Sequence, residues 1–212
     1  MNEQLFKAVE TDLIENVCKV LEIEKINATS YYGAKSIILA TENGNLEILN
    51  ALLENGSKVP RASFWSNKYH IANATLLSAA QNGRSDLIKL LLDYQANVLK
   101  TNLKEAFTEA LLSGNLKIIK LLLDAGVNVN FKDKQGITPL IYVILFPNEN
   151  QEILVEWLMA AGAHVNVKFK RVIENGRHFK HETDTALSYA EKSGNLKLVR
   201  ILKTVKTYHK TI

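Results

Sequence analysis

The stretch ALLSGNLKIIKLLLDAGVNV, residues 110–129, decides the fold because the chain writes it several times. ATENGNLEILNALLENGSKV at 40–59 and AAQNGRSDLIKLLLDYQANV at 79–98 follow the same plan, and AEKSGNLKLVRILK at 190–203 repeats its opening. Gly44, Gly83, Gly114 and Gly194 fall at equivalent places. Apolar pairs follow each glycine at fixed offsets. They are Ile48/Leu49 with Leu52/Leu53, Leu87/Ile88 with Leu91/Leu92, and Ile118/Ile119 with Leu122/Leu123. Spacing of that kind places one apolar face along a helix.

A second, shorter helix is expected before each glycine. Its large apolar column is Ile37, Leu76, Phe107 and Leu187, and its small column is Ala40, Ala79, Ala110 and Ala190. Small side chains let such a helix lie close to its neighbours. The glycine suits the left-handed position that ends a helix. Asn45, Asn115 and Asn195 follow at once and can cap the next one. A further unit is altered. Asp133-Lys-Gln-Gly136-Ile-Thr138-Pro139-Leu140 opens it, Leu154/Val155 and Leu158/Met159 line its second helix, and Gly162-Ala163-His164-Val165-Asn166 closes it. Thr138 can cap with its hydroxyl, and Pro139 fits the first helical position, where a missing N–H costs nothing.

That opening, followed by two helices and Gly-Ala-x-Val-Asn, resembles the ankyrin repeat. Asp124-Ala125-Gly126-Val127-Asn128-Val129-Asn130 is similar to its closing loop, and Thr185-Ala186-Leu187 to its helix start with alanine in place of proline. The resemblance covers residues 34–203, and residues 3–22 look like a degenerate first unit. It implies an all-α solenoid of five or six helix pairs, with a concave face of inner helices and loop tips that holds another protein, and no catalysis. The units depart from the pattern in two ways. Lys35, Ala74 and Glu105 stand at the threonine place, and the closing positions Gly56, Gln95, Gly126 and Gly162 are unevenly spaced, so insertions are expected. Residues 145–151, around Pro147-Asn148-Glu149-Asn150, read as a lengthened helix–helix loop. Lys203, where other units carry Leu53, Leu92 and Leu123, suits an end repeat whose outer face meets water.

Two insertions fall at loop tips. Residues 60–70 gather Phe64, Trp65 and Tyr69 in a polar setting without helical spacing, and exposed aromatics are common interface anchors. KFKRVIENGRHFKH, residues 168–181, changes periodicity altogether. Its Asn175-Gly176 pair between two short runs predicts a β-hairpin with Glu174 opposite Arg177, Ile173 opposite His178 and Val172 opposite Phe179. Lys168, Lys170, Arg171, Arg177 and Lys180 would line a basic ribbon, and with His178 and Phe179 they complete the expected partner-binding set. A lone two-stranded hairpin is marginal in water, so this one should lean on neighbouring loops or order on contact.

The chain of 212 residues is read as one domain: an N-terminal cap unit at 3–33, repeats at 34–203 with the hairpin inserted at 167–183, and a basic tail at 204–212. Its net charge of +4 is uneven, because residues 164–212 hold 11 Lys and Arg against 4 Asp and Glu. Such asymmetry steers an acidic protein partner, and it leaves nucleic acid or acidic lipid as the alternative ligand. No apolar run is long enough for a membrane helix. The opening MNEQLFKAVETD lacks a secretory pattern. Cys18, the single cysteine, forms no intrachain disulfide and is expected to be a small buried apolar residue on the first helical segment. A monomer is expected in the cytoplasm of its own cell, or in a host cytosol if it is a delivered effector. No cofactor, metal or catalytic residues are expected. There is no phosphate-binding Gly-rich loop and no Cys/His cluster at zinc spacing. His178 and His181 alternate to opposite faces of a strand, and Glu152 and Glu156 form a charged helix face. The functional expectation is a non-catalytic binding module: an adaptor, a bacterial effector or an inhibitor.

Overall fold

The structure, a computed structural model, describes residues 3–23, 31–55, 71–93, 100–175 and 178–208. These residues form twelve helices and one hairpin. In chain order they are α1 (Glu3–Glu10), α2 (Ile14–Ile23), α3 (Tyr31–Glu42), α4 (Leu46–Glu54), α5 (Ile71–Gln81), α6 (Ser85–Asp93), α7 (Lys100–Ser113), α8 (Leu116–Asp124), α9 (Pro139–Leu145), α10 (Gln151–Ala160), β1 (Phe169–Asn175), β2 (His178–Asp184), α11 (Ala186–Lys192) and α12 (Leu196–Tyr208).

The chain divides into two compact units. The first comprises residues 1–110 and 117–127, the second 111–116 and 128–212. In the first, α1, α3 and α5 lie side by side as one layer, and α2, α4 and α6 form another. The second unit repeats the plan with α9 beside α11 and α10 beside α12. The alanine column Ala40, Ala79, Ala110 and Ala190 is fully buried, and so are the apolar pairs Ile48/Leu49, Leu87/Ile88, Ile118/Ile119 and Leu154/Val155. Leu187 is half-buried. Lys203 is exposed and pairs with Glu191 at 2.8 Å, as an outward position allows.

Local signals explain the helix ends. Gly44 has φ +71° and Gly194 φ +72°, a region that a side chain on Cα disfavours. The Asn45 amide then donates to the Ala40 carbonyl (3.0 Å), closing the helix, while the Asn45 Oδ1 accepts from the Ile48 amide (3.0 Å) and opens the next. Asn195 caps α12 in the same way through the Leu198 amide (3.1 Å). In the first turn the left-handed place is taken by Asp12 (φ +56°), whose carboxylate accepts from the side-chain amides of Asn43 and Asn45. Thr138 caps α9 with Pro139 at its start. Ahead of it, Asp133 Oδ1 accepts from the amides of Gln135 and Ile137, and Asp133 Oδ2 accepts the Tyr142 hydroxyl at 2.6 Å. Partial burial, and then this bond, push the Tyr142 phenol up to about 12.

Two expectations need correction. Cys18 is exposed and lies on α2; Val17 beside it takes the buried place on that helix. The hairpin forms, but in another register: Val172 pairs with His181, Ile173 with Lys180, Glu174 with Phe179 and Asn175 with His178. The last described rung is Asn175↔His178. The expected register would also have set Arg171 across from Lys180. The observed one sets it across from Glu182, and like charges facing each other destabilise a ladder.

Replacing Gly44 by alanine adds a Cβ in the left-handed region, where it also meets the Arg84 guanidinium. The variant should lose about 1–2 kcal/mol of stability in urea unfolding. A second test uses Tyr142. Its phenol ionises near 10.0 when unfolded and near 12 when folded, so its contribution is whole below pH 10 and lost between 10 and 12. Tyr142→Phe should cost roughly 1–2 kcal/mol at pH 8. The gap to the parent protein should close as the pH approaches 12, and a gap that does not change with pH contradicts the assignment.

Candidate functional site

The hairpin of the second unit is where charge, exposure and an unusual root coincide. Its approach is held first. Asn130 Nδ2 donates to the Gly162 carbonyl (2.9 Å), and Asn130 Oδ1 accepts from the His164 amide (2.7 Å). Residues 162–167 therefore arrive at β1 tied to the preceding loop. The lengthened α9–α10 loop is tied similarly: Asn148 Nδ2 donates to the Leu111 carbonyl and Asn150 Nδ2 to the Gly114 carbonyl, each at 3.0 Å.

The root of the hairpin is a mixed apolar and ionic anchor. Phe169, between the exposed Lys168 and Lys170, turns inward and is buried, with its ring 6.2 Å from that of Tyr189 on α11. Its rung partner is Asp184, whose side chain is 1% exposed. Asp184 is the one buried charged group among the described residues. Burying a carboxylate costs several kcal/mol unless it is paired and hydrogen-bonded. Here Lys192 Nζ lies 2.8 Å from Asp184 Oδ1 and 2.9 Å from Glu182 Oε2, and the Ser188 hydroxyl donates to Asp184 Oδ1 at 3.0 Å. These bonds, first that to Asp184, raise the Lys192 pKa above its ordinary value. Ser188 also completes a capping box: the Thr185 amide donates to its oxygen, and Thr185 Oγ1 accepts from the Ser188 amide. The bonds that start α11 thus also hold the stem of the hairpin.

Among the expected contact residues, Lys168 and Lys170 are exposed at the foot of β1. Arg171 lies on β1, and His178, Phe179 and Lys180 lie on β2, at the register positions already given. The two strands bring Lys170, Arg171, His178, Phe179 and Lys180 into one hairpin, with Lys168 just before it. Arg177, and the loop carrying Phe64, Trp65 and Tyr69, lie outside the described residues. Glu152 pairs with Lys197 at 3.1 Å and Glu156 is exposed, so this helix face is a solvated one. Among the described residues no three His, Cys, Asp or Glu side chains converge as metal ligands, and no helix is long and apolar enough to cross a membrane.

Sequence reasoning missed the root residues Asp184, Ser188 and Lys192. The Thr185-x-x-Ser188 spacing was the available signal, a variant of the capping box with serine in place of glutamate. It also missed an aromatic surface on the first unit. Phe6, Tyr31 and Tyr32 meet edge to face or tilted, with Lys35 Nζ 4.7 Å from the Tyr31 ring centre and 5.4 Å from that of Phe6. These residues come from two helices, and their sequence separation hides the cluster.

The family model described as ankyrin repeats (three copies) matches residues 76–169. A fowlpox virus ankyrin repeat protein, FPV223, is 38% identical over 73 residues, 34% of this chain and 52% of that one. The phosphocholine transferase AnkX of Legionella pneumophila is 29% identical over 149 residues, 69% of this chain but 14% of that one. The chain thus spans about half the length of the first relative and a small part of the second. The crystal structure of an ankyrin repeat domain from Acinetobacter baumannii superposes with a TM-score of 0.70 at 23% identity, covering 94% of this chain and 96% of that one. That likeness establishes the fold.

Asp184→Ala removes the acceptor shared by Ser188 and Lys192 and should cost roughly 2–3 kcal/mol, confined to the second unit. Amide exchange resolves the location: α11 and the lower rungs of both strands should lose protection while α3 and α4 keep theirs. Uniform loss across the chain, or none, contradicts the anchoring role.

Proposed function

We propose that this chain, which belongs to the ankyrin-repeat family, is a non-catalytic module that binds another protein through the basic hairpin and the loop tips beside it. Ankyrin repeats generally mediate protein–protein interaction, and their fold is typically non-catalytic. The observation that carries the choice of site is the rooted hairpin. The hairpin is held at its base by the buried Asp184 and its partner Lys192, beside the exposed Lys168 and Lys170. A prearranged contact surface forfeits less entropy on binding than a loop that must first order. The partner surface that complements it is acidic. The loop of residues 60–70, with Phe64, Trp65 and Tyr69, and the concave face usual for the family would extend the contact.

Within that class the role is that of an adaptor or an inhibitor. An adaptor uses the projection to tether its partner; an inhibitor lays it over the partner's active site. A bacterial cytosolic setting, or delivery into a host cell, fits either role. The match to AnkX takes in a small part of that transferase and carries no catalytic role to this chain.

Affinity capture from source lysate with the intact chain, and with residues 168–181 replaced by a Gly-Ser linker, tests this. The intact chain should retain a protein that the replaced chain binds about tenfold more weakly or worse, a loss of roughly 1.4 kcal/mol. Unchanged partners and affinities remove the hairpin from the account. Binding of DNA or acidic vesicles that falls steeply with salt would favour the nucleic acid or lipid alternative.

A further inference from the structure

Among the described residues the sheet has two strands, with an open edge on each. In an antiparallel ladder successive residues turn their backbone N–H and C=O groups alternately toward the partner strand and away from it. The outer side of β1 therefore carries a row of hydrogen-bonding groups. Proteins usually blunt such an edge with a proline, a bulge, a very short strand or charged side chains, lysine above all. β1 has none of the first three. It is seven residues long, contains no proline, and pairs without interruption from Phe169↔Asp184 to Asn175↔His178. What it carries is charge: Lys170 and Arg171, with Lys168 just before, against the single Glu174.

Positive charge on an edge is selective. It repels the same edge of a second copy and attracts a strand rich in carboxylates. The other strand differs, because the acidic groups at its root, Glu182 and Asp184, are both paired with Lys192 within the fold. α11 packs against β2.

We propose that the outer edge of β1 takes an extended acidic segment of a partner protein as a third strand. This rests on the protein-binding role above and specifies its mode. Backbone hydrogen bonds supply the attachment, and Lys168, Lys170 and Arg171 supply the preference for acidic side chains. Residues 170–175 offer an edge about 20 Å long, at roughly 3.3 Å per residue, enough for a segment of about six residues.

The test uses the full chain and a labelled peptide of four Glu-Val repeats, followed by fluorescence anisotropy and amide exchange. The peptide should bind and slow exchange at alternate β1 amides. The same peptide N-methylated along its backbone keeps its charge but has no N–H to donate, and should bind roughly tenfold more weakly or worse. A Lys-Val peptide should bind no better than the methylated one. Lys170→Glu with Arg171→Glu should weaken the Glu-Val peptide similarly while circular dichroism keeps the parent helical signal. Equal binding of the methylated peptide would overturn strand addition and leave attraction by charge, with the broader protein-binding role intact. No binding of the Glu-Val peptide, protection elsewhere than β1, or dimerisation of the chain through β1 would each overturn it as well. A hairpin-dependent partner in the capture experiment would then still support the broader role.

Discussion

A pair of short helices cannot hide its own apolar stripe, and every other feature of this protein depends on that shortage. The helices here run from 7 to 14 residues. Isolated helices of such length are marginal in water. They persist because helices within each unit lie against one another, with Ala40 and Ala79 fully buried in the first unit and Ala190 in the second. Thr41 and Ser36 are buried in the same layer without penalty, since their hydroxyls donate to the Ile37 and Tyr32 carbonyls one turn back.

The hairpin obeys the same constraint by different means. It has no second sheet to cover it, so it borrows a helix. Phe169 lies against Tyr189, and Asp184 brings its buried charge to Lys192 and Ser188. The exchange runs both ways. α11 has seven residues, among the shortest helices described, and its first turn is held by Thr185, Ser188 and the carboxylate just before them. A contact element grown from the repeat at this point strengthens the repeat that carries it. The stem is fixed by the fold through Phe169, Asp184, Ser188 and Lys192.

Much of this was legible in the chain because it rests on local rules that recur. Periodic apolar pairs, the glycines, the Asn45 and Asn195 caps and the Thr138-Pro139 start each act within a few residues, and the structure places them as expected. The misreadings concern choices that local rules leave open. Cys18 is compatible with either face of α2, and Val17 took the buried one. Asn175-Gly176 is a strong turn pair, yet the ladder moved on by one residue, pairing Asn175 with His178 and Arg171 with Glu182. Lys192 could not be foreseen as a partner of Asp184, because the contact crosses from strand to helix and exists only once both are in place. The Phe6, Tyr31, Tyr32 and Lys35 surface was hidden for the same reason.

The claim that matters most is that the hairpin stands on its root before any partner arrives. Amide exchange of the free protein across residues 169–184, residue by residue, measures this directly. The rungs at Phe169↔Asp184, Lys170↔Thr183 and Arg171↔Glu182 should be protected to the degree seen in α11, with protection falling toward Asn175↔His178. Exchange at unprotected rates along both strands, while α11 and α12 remain protected, would contradict it.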